Sequence, residues 1–148
     1  MVKKILVSLD GSRLAEKALP YAKALAETFE AELLLVRVLE PMIMADYGHI
    51  PTFEAQIVQA EADASVYLKT IQNNYSELGY RVKTKLLRAH LVAETIIDQA
   101  READVDMIVM STHGRSGLSR WVYGSVAAKV LQQAPCPVLL VPVREPIA

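Results

Sequence analysis

Met107-Ile-Val-Met-Ser-Thr-His-Gly-Arg-Ser-Gly117 opens as an apolar run of strand character and turns at Ser111 into small, polar and glycine-rich residues. A second small pair, Gly124-Ser125, stands just ahead of Val126-Ala-Ala-Lys-Val130, which has helical character. A strand, a glycine turn and a helix in that order bring the backbone N–H groups of the turn and of the first helical turn toward one point. Gly114 and Gly117 permit a close backbone approach and positive φ, Ser116, Ser119 and Ser125 add hydroxyl donors, and Arg115 and Arg120 add charge. The stretch reads as an anion cradle; the same composition also suits a plain surface turn.

The elements around it decide what kind of sheet the cradle belongs to. Lys3 to Leu9 is a nearly continuous apolar run ending in Asp10-Gly11-Ser12, as expected of a parallel strand buried on both faces. Ser12 is a candidate N-cap for a helix whose apolar face is Ala15, Ala18, Leu19, Ala22, Leu25, Ala26 and Phe29, with a kink expected at Pro20. Glu32 to Leu39 is a second buried strand. Met42 to Thr52, with Gly48 and Pro51 and no usable period, is expected to be a loop. Phe53, Ile57, Ala60, Ala64, Tyr67, Ile71, Tyr75 and Leu78 mark a long helix stopped by Gly79.

Val82 to Leu87 alternates, with Lys83 and Lys85 between apolar residues, which suits an edge strand. Val92, Ile96, Ile97, Ala100 and Ala103 mark a third helix, Val105 to Met110 a fourth strand, Val122 to Ala134 a fourth helix and Val138 to Val143 a fifth strand. Strict βα alternation with buried strands predicts a doubly wound α/β fold, a parallel sheet with helices on both faces and right-handed crossovers. Ligands of such sheets bind at the carboxyl ends of strands where the strand order reverses, so Asp10, Val38 and the residues from Met110 onward are the positions to watch.

Composition narrows the partners. At 148 residues, 52% hydrophobic, the chain is long enough for one domain with a sizeable core. A net charge of -1 gives none of the positive excess expected of a nucleic-acid binder. The first apolar run is too short for a signal peptide core and no run approaches a membrane span, so a soluble, cytoplasmic protein is expected. The single cysteine, Cys136, lies between Pro135 and Pro137 and reads as a buried, inert thiol.

His113 suits a phosphate hydrogen bond, a general acid/base role or, as favoured here, a turn residue holding the loop through its ring nitrogens. His49 and His90 are isolated and expected to face solvent, and no protein-built metal site is expected; a divalent ion would arrive with a nucleotide. Asp10 suits hydrogen bonds to a sugar or base, an Asx-turn with Ser12, or both. A phospho-accepting receiver domain shares the fold class, but it needs an aspartate ending the third strand, where this chain has Leu86-Leu87-Arg88.

From Lys4-Ile-Leu-Val-Ser-Leu-Asp-Gly-Ser12 to Ala134-Pro-Cys-Pro-Val-Leu-Leu-Val141 the chain resembles the universal stress protein family. Its nucleotide-binding members carry Gly, two residues, Gly, nine residues, then Gly with Ser or Thr. Here Ser111, Gly114 and Gly124-Ser125 occupy those places, with Arg115 to Tyr123 as the nine and a serine at the first. The resemblance implies an open five-stranded parallel sheet in the order 3-2-1-4-5, Asp10 and the Val38 backbone at the adenosine end, and phosphates received by Gly114, Gly124, Ser125 and Val126 beside Met110 and Ser111. Arg115 begins the loop that would wrap them, and the Ser111 hydroxyl is expected to donate to the ligand.

It further implies ATP as the ligand, with Mg or Mn carried by the nucleotide, and a homodimer formed through Val138, Leu139, Leu140 and Val141. An apolar edge strand left open invites pairing, so a second copy there is physically reasonable; the tail Arg144 to Ala148 is the other way to cover it. The expected function is that of a nucleotide-dependent sensor or adaptor with an unidentified protein partner. The Met42, Ile43, Met44 cluster and the long helix offer a partner surface or ordinary packing. With no P-loop lysine motif and no evident water-activating carboxylate, slow ATP hydrolysis is the most enzyme activity expected. A dimeric interaction module that binds no nucleotide is the remaining alternative.

Overall fold

Four apolar runs and one alternating run, rich in leucine and β-branched residues, form the strands, and the intervening amphipathic segments cover them. The computed structural model describes residues 1–41, 50–113 and 124–143. Its elements are β1 (Lys4–Ser8), a short 3-10 turn (Ala15–Ala18), α1 (Leu19–Phe29), β2 (Glu32–Leu39), α2 (Ile50–Glu77), β3 (Val82–Arg88), α3 (Val92–Glu102), β4 (Met107–Ser111), α4 (Ser125–Gln133) and β5 (Val138–Val141). The strands form one parallel sheet in the order β3-β2-β1-β4-β5, as expected, with Ile5 opposite both Leu33 and Met107. The order reverses between β1 and β4.

Period-two alternation sorts the core into two layers. Ile5, Val7, Leu9, Leu33, Leu35 and Val109 face α1 and α2, meeting Ala22, Ala26 and Leu68. Leu6, Leu34, Val36, Ile108 and Met110 face α3 and α4, meeting Ile96, Ile97, Ala100, Ala127 and Val130. Each central strand is therefore apolar on both faces, which is why it reads as a continuous run. β3 takes one edge, with the Lys83 and Lys85 side exposed.

Several boundaries differ from the sequence reading. Pro20 does not kink a helix. The segment from Ala15 is a 3-10 turn and the α-helix begins at Leu19, so Pro20 stands in the first turn, where its missing N–H costs no hydrogen bond. The expected loop from Met42 to Thr52 is helical from Ile50, and Pro51 likewise falls in a first turn; the remainder, with the Met42, Ile43, Met44 cluster and His49, lies outside the described residues.

Leu78 lies beyond the end of α2 and is exposed, while Gly79, with φ +97°, makes the stop. The fourth strand begins at Met107 rather than Val105 and includes Ser111; the fifth ends at Val141. The fourth helix begins at Ser125, and Val122 and Tyr123 are outside the described residues. Cys136 is only partly buried; burial and, secondarily, Asp106 push its thiol above the ordinary range, which favours the neutral thiol. His90 is exposed, as expected.

Candidate functional site

A cleft of about 660 Å³ opens at the carboxyl ends of the strands, over the reversal between β1 and β4. That volume lies within the range of small-molecule sites. Asp10, Val38, Met110, Ser111, Gly124, Ser125 and Val126 all line it. Residues that are far apart in sequence meet here because parallel strands deliver their carboxyl ends to one side of the sheet. Gly114 and Arg115, with Ser116, Gly117, Ser119 and Arg120, lie outside the described residues.

The floor of the cradle is Ser111-Thr112-His113, all three buried. Thr112 ties it together: its N–H donates to the Val141 carbonyl at 3.0 Å, its carbonyl accepts the Gly124 N–H at 2.9 Å, and its Oγ1 accepts the Val143 N–H at 3.3 Å. The same Oγ1 lies 3.1 Å from His113 Nδ1, so the imidazole is engaged in holding the turn, in keeping with the structural role favoured for it. The Ser111 hydroxyl is not offered to the cleft as expected. It donates to the His113 carbonyl, so the serine in the family's glycine position is absorbed into the turn itself.

Gly124 starts α4 with φ -57° and ψ 153°, and among the described residues no side chain caps the helix. The first intrahelical bond runs from the Ala128 N–H to the Gly124 carbonyl at 3.0 Å, which leaves the N–H groups of Ser125, Val126 and Ala127 without acceptors inside the helix. These residues border the cleft, so the positive end of the α4 dipole is presented to it.

Across the cleft, the Asp10 carboxylate accepts the Ser12 N–H at 2.9 Å and the Ser12 Oγ accepts the Ala15 N–H at 3.1 Å. The Asx-turn expected at Asp10 is present, and the serine caps the first helical turn. Leu39, Pro41, Ile57, Ala60 and Val92 supply an apolar wall. Arg88 closes one side through an ion pair with Glu61 of α2 at 2.6 Å. Both partners are more than a third exposed, which keeps the pair's contribution at about 0–1 kcal/mol.

Sequence reasoning passed over Arg37, Glu61, Arg88 and Thr112. A charge inside an otherwise apolar strand was the available signal for Arg37. Thr112 carried none, because its role depends on the return of β5 beside β4. No group of three metal-ligating side chains occurs among the described residues, so the protein offers no ready-made metal cage there. Among the described residues no helix is long and apolar enough to cross a membrane.

Comparison with known proteins agrees with this geometry. The model of the universal stress protein family matches residues 1–142. A universal stress protein of Thermus aquaticus is 37% identical, the match covering 95% of this chain and 99% of the relative. The solved structure of the hypothetical protein MJ0577 superposes with a TM-score of 0.86 at 27% identity, covering 99% of each chain. A universal stress protein family protein from Arabidopsis thaliana, solved with AMP bound, shares the fold at a TM-score of 0.69 and 16% identity, covering 96% of this chain and 92% of that one.

Proposed function

The chain belongs to the universal stress protein family, and from that premise we propose that it binds an adenine nucleotide, foremost ATP, in the cleft at the β1/β4 reversal. The observation that carries this reading is the convergence of Asp10, Val38 and the α4 start at Gly124, Ser125 and Val126 on one cleft. A carboxylate on one side suits ribose hydroxyls or a base amine, the apolar wall suits the base, and N–H groups at a helix start suit phosphates. The Arabidopsis relative with AMP bound supports the nucleotide class.

In this reading Gly114 and Arg115 complete the phosphate end and Mg or Mn arrives with the nucleotide. The protein would work in the cytoplasm as a homodimer joined through β5, a nucleotide-dependent sensor or adaptor for a protein partner in the stress response. ATP acts as a switch only if it favours one partner state over another.

The direct test is calorimetric titration of the nucleotide-stripped protein with ATP, ADP and AMP. Saturable binding by ATP is expected; absence of binding at millimolar concentration would sink the reading.

A further inference from the structure

β2 is apolar from Leu33 to Val36 and then carries a charge, Arg37, ahead of Val38. Alternation puts Arg37 on the face of Leu33 and Leu35, beneath α2, and Val38 on the opposite face. There the guanidinium carbon lies 5.3 Å from the centroid of the Tyr67 ring. The guanidinium also lies beside the loop after β1. A Cβ built on Gly11 would fall 2.9 Å from Arg37 Nη2 and 3.0 Å from Cζ, so the guanidinium fills the space a side chain at position 11 would need. Gly11 also has φ +86°, a conformation glycine adopts without strain.

The loop that Arg37 touches carries Asp10 and Ser12, joined by the hydrogen bond from the Ser12 N–H to the Asp10 carboxylate. Arg37 and Asp10 both border the cleft. The Tyr67 phenol is partly buried beside Glu16, and its ring is the part that faces the guanidinium. A planar guanidinium can stack on a ring and abut a backbone at once, which an ammonium cannot reproduce.

We propose that Arg37 is a positioning residue: held over the Tyr67 ring, it buttresses the Gly11 backbone and fixes the Asp10–Ser12 turn so that the Asp10 carboxylate meets the nucleoside end of the ligand in one orientation. The ligand in this statement rests on the nucleotide reading above; the geometry does not. A loop that is competent only part of the time lowers affinity by the competent fraction, whatever the number of phosphates on the ligand.

The test uses the full chain with Arg37→Met, Arg37→Lys, Tyr67→Leu and Tyr67→Phe. Without nucleotide, amide exchange at Ser12 should quicken about tenfold in Arg37→Met and Tyr67→Leu, while the Val109 amide in the core strand stays protected. Tyr67→Phe should restore the slow exchange that Tyr67→Leu loses. Affinities for adenosine, AMP and ATP should fall together by roughly the same factor in Arg37→Met.

A loss that grows from adenosine to AMP to ATP would mean that Arg37 pairs with phosphate directly, and would overturn the positioning role. Unchanged Ser12 exchange in both disruptive variants would overturn it as well. If Arg37→Met fails to fold, Arg37→Lys is expected to show the same exchange effect in smaller measure, and no effect would count against the proposal. If the parent protein binds none of the three ligands, the nucleotide reading fails and the Ser12 exchange alone decides the role of Arg37.

Discussion

The Gly124 N–H donates to the carbonyl oxygen of Thr112 at 2.9 Å, so the end of β4 and the start of α4 are joined directly although residues 113–123 lie between them. A Cβ at Gly124 would stand 3.3 Å from that same oxygen and 3.9 Å from the His113 Cα. The requirement for glycine is therefore close approach and not backbone strain, since φ is -57°.

Gly124→Val should force Thr112 and α4 apart by a few tenths of an ångström and displace the N–H groups of Ser125 and Val126. The expected result is a loss of ATP affinity of at least about tenfold with a stability cost near 1 kcal/mol. Parallel calorimetric titration and urea denaturation would check this; full affinity in a folded variant would mean that the cradle does not hold the phosphates.

Gly11→Ala combines two penalties, the positive φ of +86° and the Arg37 guanidinium 2.9 Å from the new methyl group. The side chain of Arg37 can swing away, but the backbone strain stays, so a loss of about 1–2 kcal/mol is expected. In an Arg37→Ala background the added cost of Gly11→Ala should shrink to the φ part. A double-mutant cycle by urea denaturation measures the coupling.

Alkaline pH should weaken the fold. Burial, with the Glu16 charge secondary, holds the phenols of Tyr67 and Tyr75 above the ordinary value of 10.0. An unfolded chain ionises them near that ordinary value while the folded chain keeps them neutral, so their contribution is intact below about pH 10 and declines as pH rises beyond it. Urea midpoints measured from pH 8 to 11 should fall at the alkaline end, and less steeply in Tyr67→Phe.

Among the described residues no strand pairs with the outer edge of β5. The carbonyls of Pro137 and Val141 accept the N–H groups of Ile108 and Thr112 from β4, and period-two geometry then turns the backbone groups of Val138 and Leu140 outward. Leu140→Pro should remove an outward donor while sparing the bonds to β4. Sedimentation should show a dimer for the parent and a monomer for the variant; a dimeric variant would place the interface elsewhere.

The alternation of strands and helices was legible because every central strand is buried on both faces and every helix has one apolar stripe. Misreadings cluster at proline. The pattern around Pro20 suggests a kink and that around Pro51 a loop, yet both fall in first turns, a distinction that depends on where the helix starts and not on the residue itself. At the site, Asp10, Val38 and Gly124-Ser125 could be found because they end strands or begin a helix. Arg37, Thr112 and the inward turn of the Ser111 hydroxyl could not. The roles of Arg37 and Thr112 are defined by neighbours distant in sequence, Tyr67 and Gly11 for the one and Val141 and Val143 for the other, and the inward turn of the Ser111 hydroxyl depends on how the backbone folds back at His113.

In the proposed reading this cleft, and no other surface, receives an adenine nucleotide. Amide NMR during ATP titration distinguishes it from binding elsewhere. Saturable shifts at Asp10, Val38, Ser125 and Val126 are predicted, with Glu30 and Gly79 at the opposite end of the sheet unmoved. Unchanged spectra at millimolar ATP, or shifts centred away from those four residues, would contradict it.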